Sequence, residues 1–211
     1  MRQSGTREAT TRGSAEGWLT GAYQALIELG VDAVRISLLS QRLSLARTSF
    51  YWFFKDRDAL LAALIEKWRA KNTRNFISRT EAYAESIEEA TFNVFDCWLD
   101  PELFDSKFEF AMRNWALGSD DVRVQIDRAD SARIAALKDM FTRFHYDPMS
   151  ADVRARTIYL TQIGYISMKT REDLPTRMAR MPHYVEIFTG RAPAKASTER
   201  FFARHARTGR K

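Results

Sequence analysis

Leu43-Ser44-Leu45-Ala46-Arg47-Thr48-Ser49-Phe50-Tyr51-Trp52-Phe53-Phe54-Lys55 is the stretch from which the fold of this chain is read. With Arg47 to Lys55 on a helix at about 100° per residue, the positions sort into two faces. Phe50, Phe53 and Phe54 fall together, with Ser49 at their margin, and make an apolar side that must press into a core. Arg47, Thr48, Tyr51, Trp52 and Lys55 fall on the other side. A solvated helix face is normally Glu, Lys and Gln. Two cations, a hydroxyl, a phenol and an indole are suited instead to phosphates, base edges and thymine methyls. A helix of only about two turns does not stand alone in water, so it needs neighbours on both sides.

Both flanks supply them. Upstream, Ile36, Leu39, Ser40 and Leu43 share one side of a second short helix, and Ser44-Leu45 makes the turn. Before that, Ser14 is placed to cap a helix, with Glu16 in its first turn to suit the dipole. Trp18, Ala22, Ala25, Leu26 and Leu29 then recur at helical spacing until Gly30 stops the helix. Two short helices joined by a tight turn, braced by a longer one, form a helix-turn-helix. Downstream, Asp56 is a good N-cap, and Leu60, Leu61, Leu64, Ile65 and Trp68 give the next helix an apolar stripe.

No strand-like alternation follows, so the chain is expected to be all-α. Helices are predicted over 58–79, 82–99, 103–117, 121–145, 151–171 and 174–189, with Pro182 splitting the last. The predicted organisation is a flexible basic tail over 1–13, a helix-turn-helix domain over 14–71, a helical domain over 72–190 and a basic tail over 191–211. Phe201-Phe202 is the only apolar point of that last segment.

The net charge of +6 is unevenly placed. Lys and Arg outnumber Asp and Glu 11 to 7 over residues 1–71, fall short 15 to 19 over 72–190, and exceed them 7 to 1 over 191–211. A basic N-terminal unit on an acidic body suggests that the first segment meets a polyanion. A single cysteine, Cys97, allows no disulfide within the chain and favours a reducing compartment. No signal segment or membrane-length apolar run is present, so the expected location is cytoplasmic. His145, His183 and His205 are scattered, no metal-ligand spacing or Gly-rich phosphate loop occurs, and no catalytic constellation stands out. Neither a cofactor nor an enzyme activity is expected.

Further residues carry a resemblance. Gly30 and Ala33 follow the first helix, Ile36-x-x-Leu39 lies in the second, and Thr48-Ser49-Phe50-Tyr51-x-x-Phe54 in the third, before Arg57-x-x-Leu60-Leu61. In these the N-terminal segment resembles the DNA-binding domain of the TetR (tetracycline repressor) family of bacterial transcription regulators. The sequence departs from the family at Ser44, where Gly is usual, at Ala46, where a Ser-type cap is usual, at Phe53, where His or a similar residue stands, and at Arg35, where a Thr often caps the second helix. Ser44 is expected to take over the turn or the cap. The resemblance implies a two-domain, all-α homodimer. Its N-terminal domains would read two half-sites of a palindromic double-stranded operator, and its C-terminal domains would dimerise and enclose a small effector.

Arg47, Thr48, Tyr51 and Trp52 are the candidate groove-facing set, and Ser49 between them is counted with the DNA-binding residues. The alternative for Trp52 is packing on the preceding helix. Tyr51 and Arg57 match backbone-contact positions of the family, with Lys55 beside them. Arg35 and Ser37 sit where they reach the backbone or groove edge, or else a solvated turn. Arg2, Arg7 and Arg12 either follow the minor groove or are solvated. In the C-terminal half, Phe104, Phe108, Ala111, Met112 and Trp115 share a helical face, with Phe110 and Leu117 on the other, which predicts a helix buried on both sides. Trp98, Met112, Trp115, Tyr159, Gln162 and Tyr165 are candidates for lining an effector cavity, against ordinary core packing.

On the helix over 151–171, Ile158, Tyr165 and Ile166 are expected to face the core. Thr157, Leu160, Gly164 and Ser167 form a separate stripe of mostly small side chains, expected at the dimer interface. The alternative is that Gly164 admits a bulky side chain of its own subunit. The expected function is a ligand-responsive repressor released from its operator by a mainly apolar effector. The rivals are a TetR-like DNA-binding protein with no small-molecule effector, and an all-α enzyme or binding protein with a fortuitous helix-turn-helix.

Overall fold

The computed structural model describes residues 13–206, so the arginines at 2, 7 and 12 lie outside the described residues. Within them the elements are helical: α1 Ala15–Leu29, α2 Ile36–Leu43, α3 Arg47–Phe50, α4 Arg57–Trp68, α5 Asn75–Glu81, α6 Ile87–Leu99, α7 Ser106–Ala116, α8 Asp120–Arg143, α9 Pro148–Ser167, α10 Leu174–Thr189 and α11 Lys195–His205. No strand occurs among the described residues, and no helix there is long and apolar enough to cross a membrane. The chain divides into two compact units. One runs to Arg69 and takes in Lys107–Ile126; the other holds Ala70–Ser106 and the residues from Asp127 onward.

In the first unit, the Ser14 hydroxyl accepts from the Gly17 N–H at 3.0 Å and starts α1. Trp18, Ala22, Ala25 and Leu26 form its buried stripe. Gly30 stands at φ 85°, a conformation costly to any side chain, and leads into a 3-10 turn over Val31–Ala33. At the end of α2, Ser44 takes the left-handed conformation (φ 53°, ψ 39°). Its N–H donates to the Gln41 carbonyl, and the Leu45 N–H donates to the Ser40 carbonyl at 2.9 Å. These bonds make a Schellman cap with serine in the place glycine usually holds.

α3 is shorter than the periodicity predicts. The chain tightens after Phe50 into i to i+3 bonds, Ser49 to Trp52 and Phe50 to Phe53. That winding turns Phe53 outward to 37% exposure, which corrects its expected core position. Phe50 and Phe54 hold the segment down: Phe50 meets Trp18 edge-on at 5.2 Å and Phe54 stacks on Phe50 at 5.5 Å. Asp56 caps α4 through the Ala59 N–H at 2.8 Å. Leu60, Leu61, Leu64 and Trp68 are its buried face. The Trp68 indole N–H donates to the buried Glu109 carboxylate at 2.7 Å, which also pairs with Arg113. α7 is buried on one face only, since Leu117 at its end is 76% exposed and Phe110 is half-buried. The expectation of a helix buried on both sides is therefore corrected.

In the second unit, α4 gives way to a π-helical turn, Arg69–Arg74, and then α5. Phe76, Phe92, Phe95, Phe141, Ile158 and Val185 form much of the core. Arg133 is fully buried among them. Its guanidinium donates to the Thr73 hydroxyl at 2.8 Å and to the Tyr159 hydroxyl at 2.9 Å, and Tyr159 in turn donates to Asp130 at 2.6 Å. α10 continues through Pro182, which corrects the predicted split. Burial of Met181 and Val185 on either side holds the turn that lacks one N–H.

The segment expected as a tail contains α11. Phe201 is fully buried and stacks on Phe92 at 4.5 Å, and His205 Nε2 lies 2.7 Å from a carboxylate oxygen of buried Asp96, which also pairs with Arg79.

Candidate functional site

The first unit presents α2, the Ser44 turn and α3 as one surface. Arg47 and Thr48 open α3 and are exposed, as are Tyr51, Trp52 and Lys55 after it. Tyr51 is 60% and Trp52 70% exposed, unusual values for such large rings. Phe50 underneath braces Tyr51, meeting it edge-on at 5.4 Å. Arg35 is exposed at the start of α2, and Ser37, two residues on, is half-buried. Two members of the sequence-predicted set do not reach this surface. Ser49 is buried, and its hydroxyl donates to the Ala46 carbonyl at 2.8 Å, which ties the side chain back into the turn. Arg57 is turned inward: its Nε donates to the Val34 carbonyl at 2.6 Å and its Nη2 to the Val31 carbonyl at 3.0 Å. It therefore closes the connection between α1 and α2, and its role is to position α2.

The second unit holds a narrow cleft of about 30 Å³, partly open to solvent, between α6, α9 and α10. Of the predicted lining, Trp98, Gln162 and Tyr165 reach it. Tyr159 does not, because its hydroxyl is engaged by Arg133 and Asp130. Met112 and Trp115 belong to the other unit and line no part of it. Arg177, Met181, Tyr184 and Phe188, which the sequence reading did not single out, supply the opposite wall. Their spacing of four, three and four residues was a legible signal, one helix face crossing Pro182. Cys97, also on α6, is buried, and burial pushes its thiol up to about 12, so no thiolate forms near neutrality.

A third surface lies along α9. Met149, Val153, Leu160 and Met168 are exposed large apolar side chains, and Thr157, Gly164 and Ser167 lie between them. A Cβ built on Gly164 would meet nothing within 4 Å, so no bulky side chain of its own subunit fills that space.

Residues 19–64 match the family model described as bacterial regulatory proteins, tetR family. An HTH-type transcriptional repressor of Mycobacterium tuberculosis is 32% identical over 69 residues, 32% of this chain and 26% of that protein. The class A tetracycline repressor from transposon 1721, in Escherichia coli, is 33% identical over 63 residues, 30% of this chain and 29% of that protein. The match thus spans about a quarter of the length of these curated relatives. A crystal structure assigned to the TetR family from Rhodococcus sp. superposes with a TM-score of 0.62 over 83% of this chain and 98% of its own, at 16% identity. A second, from Mesorhizobium loti, gives 0.57 over 96% and 98% at 14% identity. At such identities the likeness is one of fold.

Proposed function

The N-terminal domain of this chain belongs to the tetR family of bacterial regulatory proteins, and from that premise we propose that the protein is a dimeric, ligand-responsive transcriptional repressor. The observation that carries the DNA-binding part is the exposure of Arg47, Thr48, Tyr51, Trp52 and Lys55 on one surface, with Phe50 packed beneath Tyr51. Arg47 suits a guanine edge, the Trp52 ring a thymine methyl or sugar, and Tyr51 and Lys55 the phosphates that set register. The apolar stripe of α9 is the surface through which a second copy adds the other half-site reader. Its support is the open space over Gly164 and the row of exposed apolar side chains along it, beside which the exposed Arg156 is paired with Asp152 at 2.7 Å.

The cleft of the second unit is the effector site. An effector acts by preferring the protein conformation in which the two recognition surfaces no longer match both half-sites; without that preference it shifts nothing. The test is selection of bound duplexes from a random pool, followed by titration at several salt concentrations. The expected result is a two-fold symmetric sequence bound with strong salt dependence. Recovery of no sequence preference would overturn the reading.

A further inference from the structure

The effector cleft is apolar over most of its wall, yet three charged side chains converge at its α10 end. Glu172, largely buried, pairs with Arg180. Arg177 is half-buried and lines the cleft, its guanidinium 5.9 Å from the centre of the Tyr165 ring. No hydrogen bond or ion pair among the described residues engages that guanidinium. Five N–H donors on a cation taken partly out of water therefore have only an aromatic face beside them, and the nearby carboxylate is already committed elsewhere. Burial pulls the Arg177 value below the ordinary one, against the pull of Glu172, Tyr165 and Tyr184, but an arginine remains charged near neutrality.

The neighbouring hydroxyls point the same way. The Tyr165 and Tyr184 oxygens lie 2.7 Å apart, so one donates to the other and the accepting phenol keeps its own hydrogen to give away. Tyr184 is shifted upward by that bond and by burial, which keeps it a protonated donor. With Glu172, Arg177 and Arg180 together, the charge at this end sums to one positive unit. Phe95, Trp98, Tyr184 and Phe188 give the rest of the wall a large aromatic share.

We infer that this narrow cleft widens to take a small monocarboxylate with an aromatic or compact apolar body, the carboxylate paired with Arg177 and the body laid against Trp98 and Phe188. The inference rests on reading the cleft as the effector site, and it specifies the chemistry that site selects. A planar guanidinium matches the two oxygens of a carboxylate, whereas an amide of the same shape returns only one acceptor and no charge.

The test uses the full chain and a panel of carboxylates, namely benzoate, phenylacetate and indole-3-acetate, each beside its neutral amide and its ammonium analogue. Binding is read by calorimetry and by indole fluorescence, since Trp98 lines the cleft. At least one acid is expected to bind about ten- to a hundredfold more tightly than its amide, the range of a charge-assisted bond. The ammonium analogue is expected to bind less tightly still. Arg177→Gln should erase the preference for acid over amide while leaving the amide's affinity in place, and Arg177→Lys should keep part of that preference. Binding of no acid more tightly than its amide, a preference for the ammonium, or an Arg177→Gln protein that still discriminates would each overturn the inference. Arg177-dependent binding of an acid that leaves the affinity for the selected duplex unchanged would support it while sinking the effector reading.

Discussion

Two surfaces of this protein expose large apolar side chains, and they differ in what accompanies them. Around α3, Tyr51 and Trp52 are interleaved with Arg47, Thr48 and Lys55, and these two rings, the most exposed there, each carry a polar tip. Along α9, Met149, Val153, Leu160 and Met168 are aliphatic or thioether side chains, Met168 is 80% exposed, and small residues stand between them. Exposed apolar area alone marks both as contact surfaces. The accompanying side chains separate them. Cations and hydroxyls among rings suit a wet, charged polymer, whereas aliphatics with a glycine gap, beside a cation already paired within its own helix, suit the apolar face of another helix.

The largest effect expected from that comparison is on assembly. Gly164→Leu fills a space that is open in the protomer, so a largely helical protein should result that fails to dimerise. Light scattering coupled to size-exclusion chromatography decides it, and a variant that remains dimeric would strip the α9 stripe of its role. Next comes Arg47→Ala, which should cost about 1–3 kcal/mol per half-site and relax sequence preference without changing stability. Titration on the selected and on a scrambled duplex checks it. An unchanged preference would mean that the face opposite Phe50 does not read bases.

Arg57→Ala sharpens the comparison from inside. Because the guanidinium holds the Val31 and Val34 carbonyls, the loss should be one of stability, about 1–3 kcal/mol, seen as earlier melting before any DNA is added. A normal melting curve with a flattened salt dependence would return Arg57 to the phosphates. The smallest expected effect is at the turn between α2 and α3. Ser44 bears a left-handed backbone that glycine adopts without strain, so Ser44→Gly should stabilise by up to about 1 kcal/mol, offset in part by the freer unfolded chain. Comparing its denaturant midpoint with that of Ser44→Ala separates backbone relief from loss of the hydroxyl.

The N-terminal unit was legible because its chemistry is local. Ser14, Asp56 and Gly30 announce helix ends, and Trp18, Leu26, Leu39 and Phe50 recur at the spacing of buried stripes. What misled there was the assumption of uniform 100° winding through Phe53, where the backbone instead tightens. The second unit was legible as helices but hardly as a site. Arg133 and Arg177 look like solvated charges in a row of letters, and only packing reveals one fully enclosed and the other lining a cleft. α11 escaped because Arg191, Pro193 and Lys195 read as a linker, although Phe201 and His205 are one helical turn apart.

That last helix also sets a timetable. His205 meets Asp96, a partner 109 residues earlier in the chain. At about 5–20 residues per second, the ribosome takes roughly 5–20 s to make the stretch between them. For that interval Phe92 lacks the Phe201 ring and Asp96 has Arg79 but not His205, and the wait is long compared with the microseconds in which a helix such as α6 forms. The aromatic face of α6 is thus presented to the nascent chain's surroundings before its own cover exists. In the cell, this part of the protein has its greatest need of protection while it is being made.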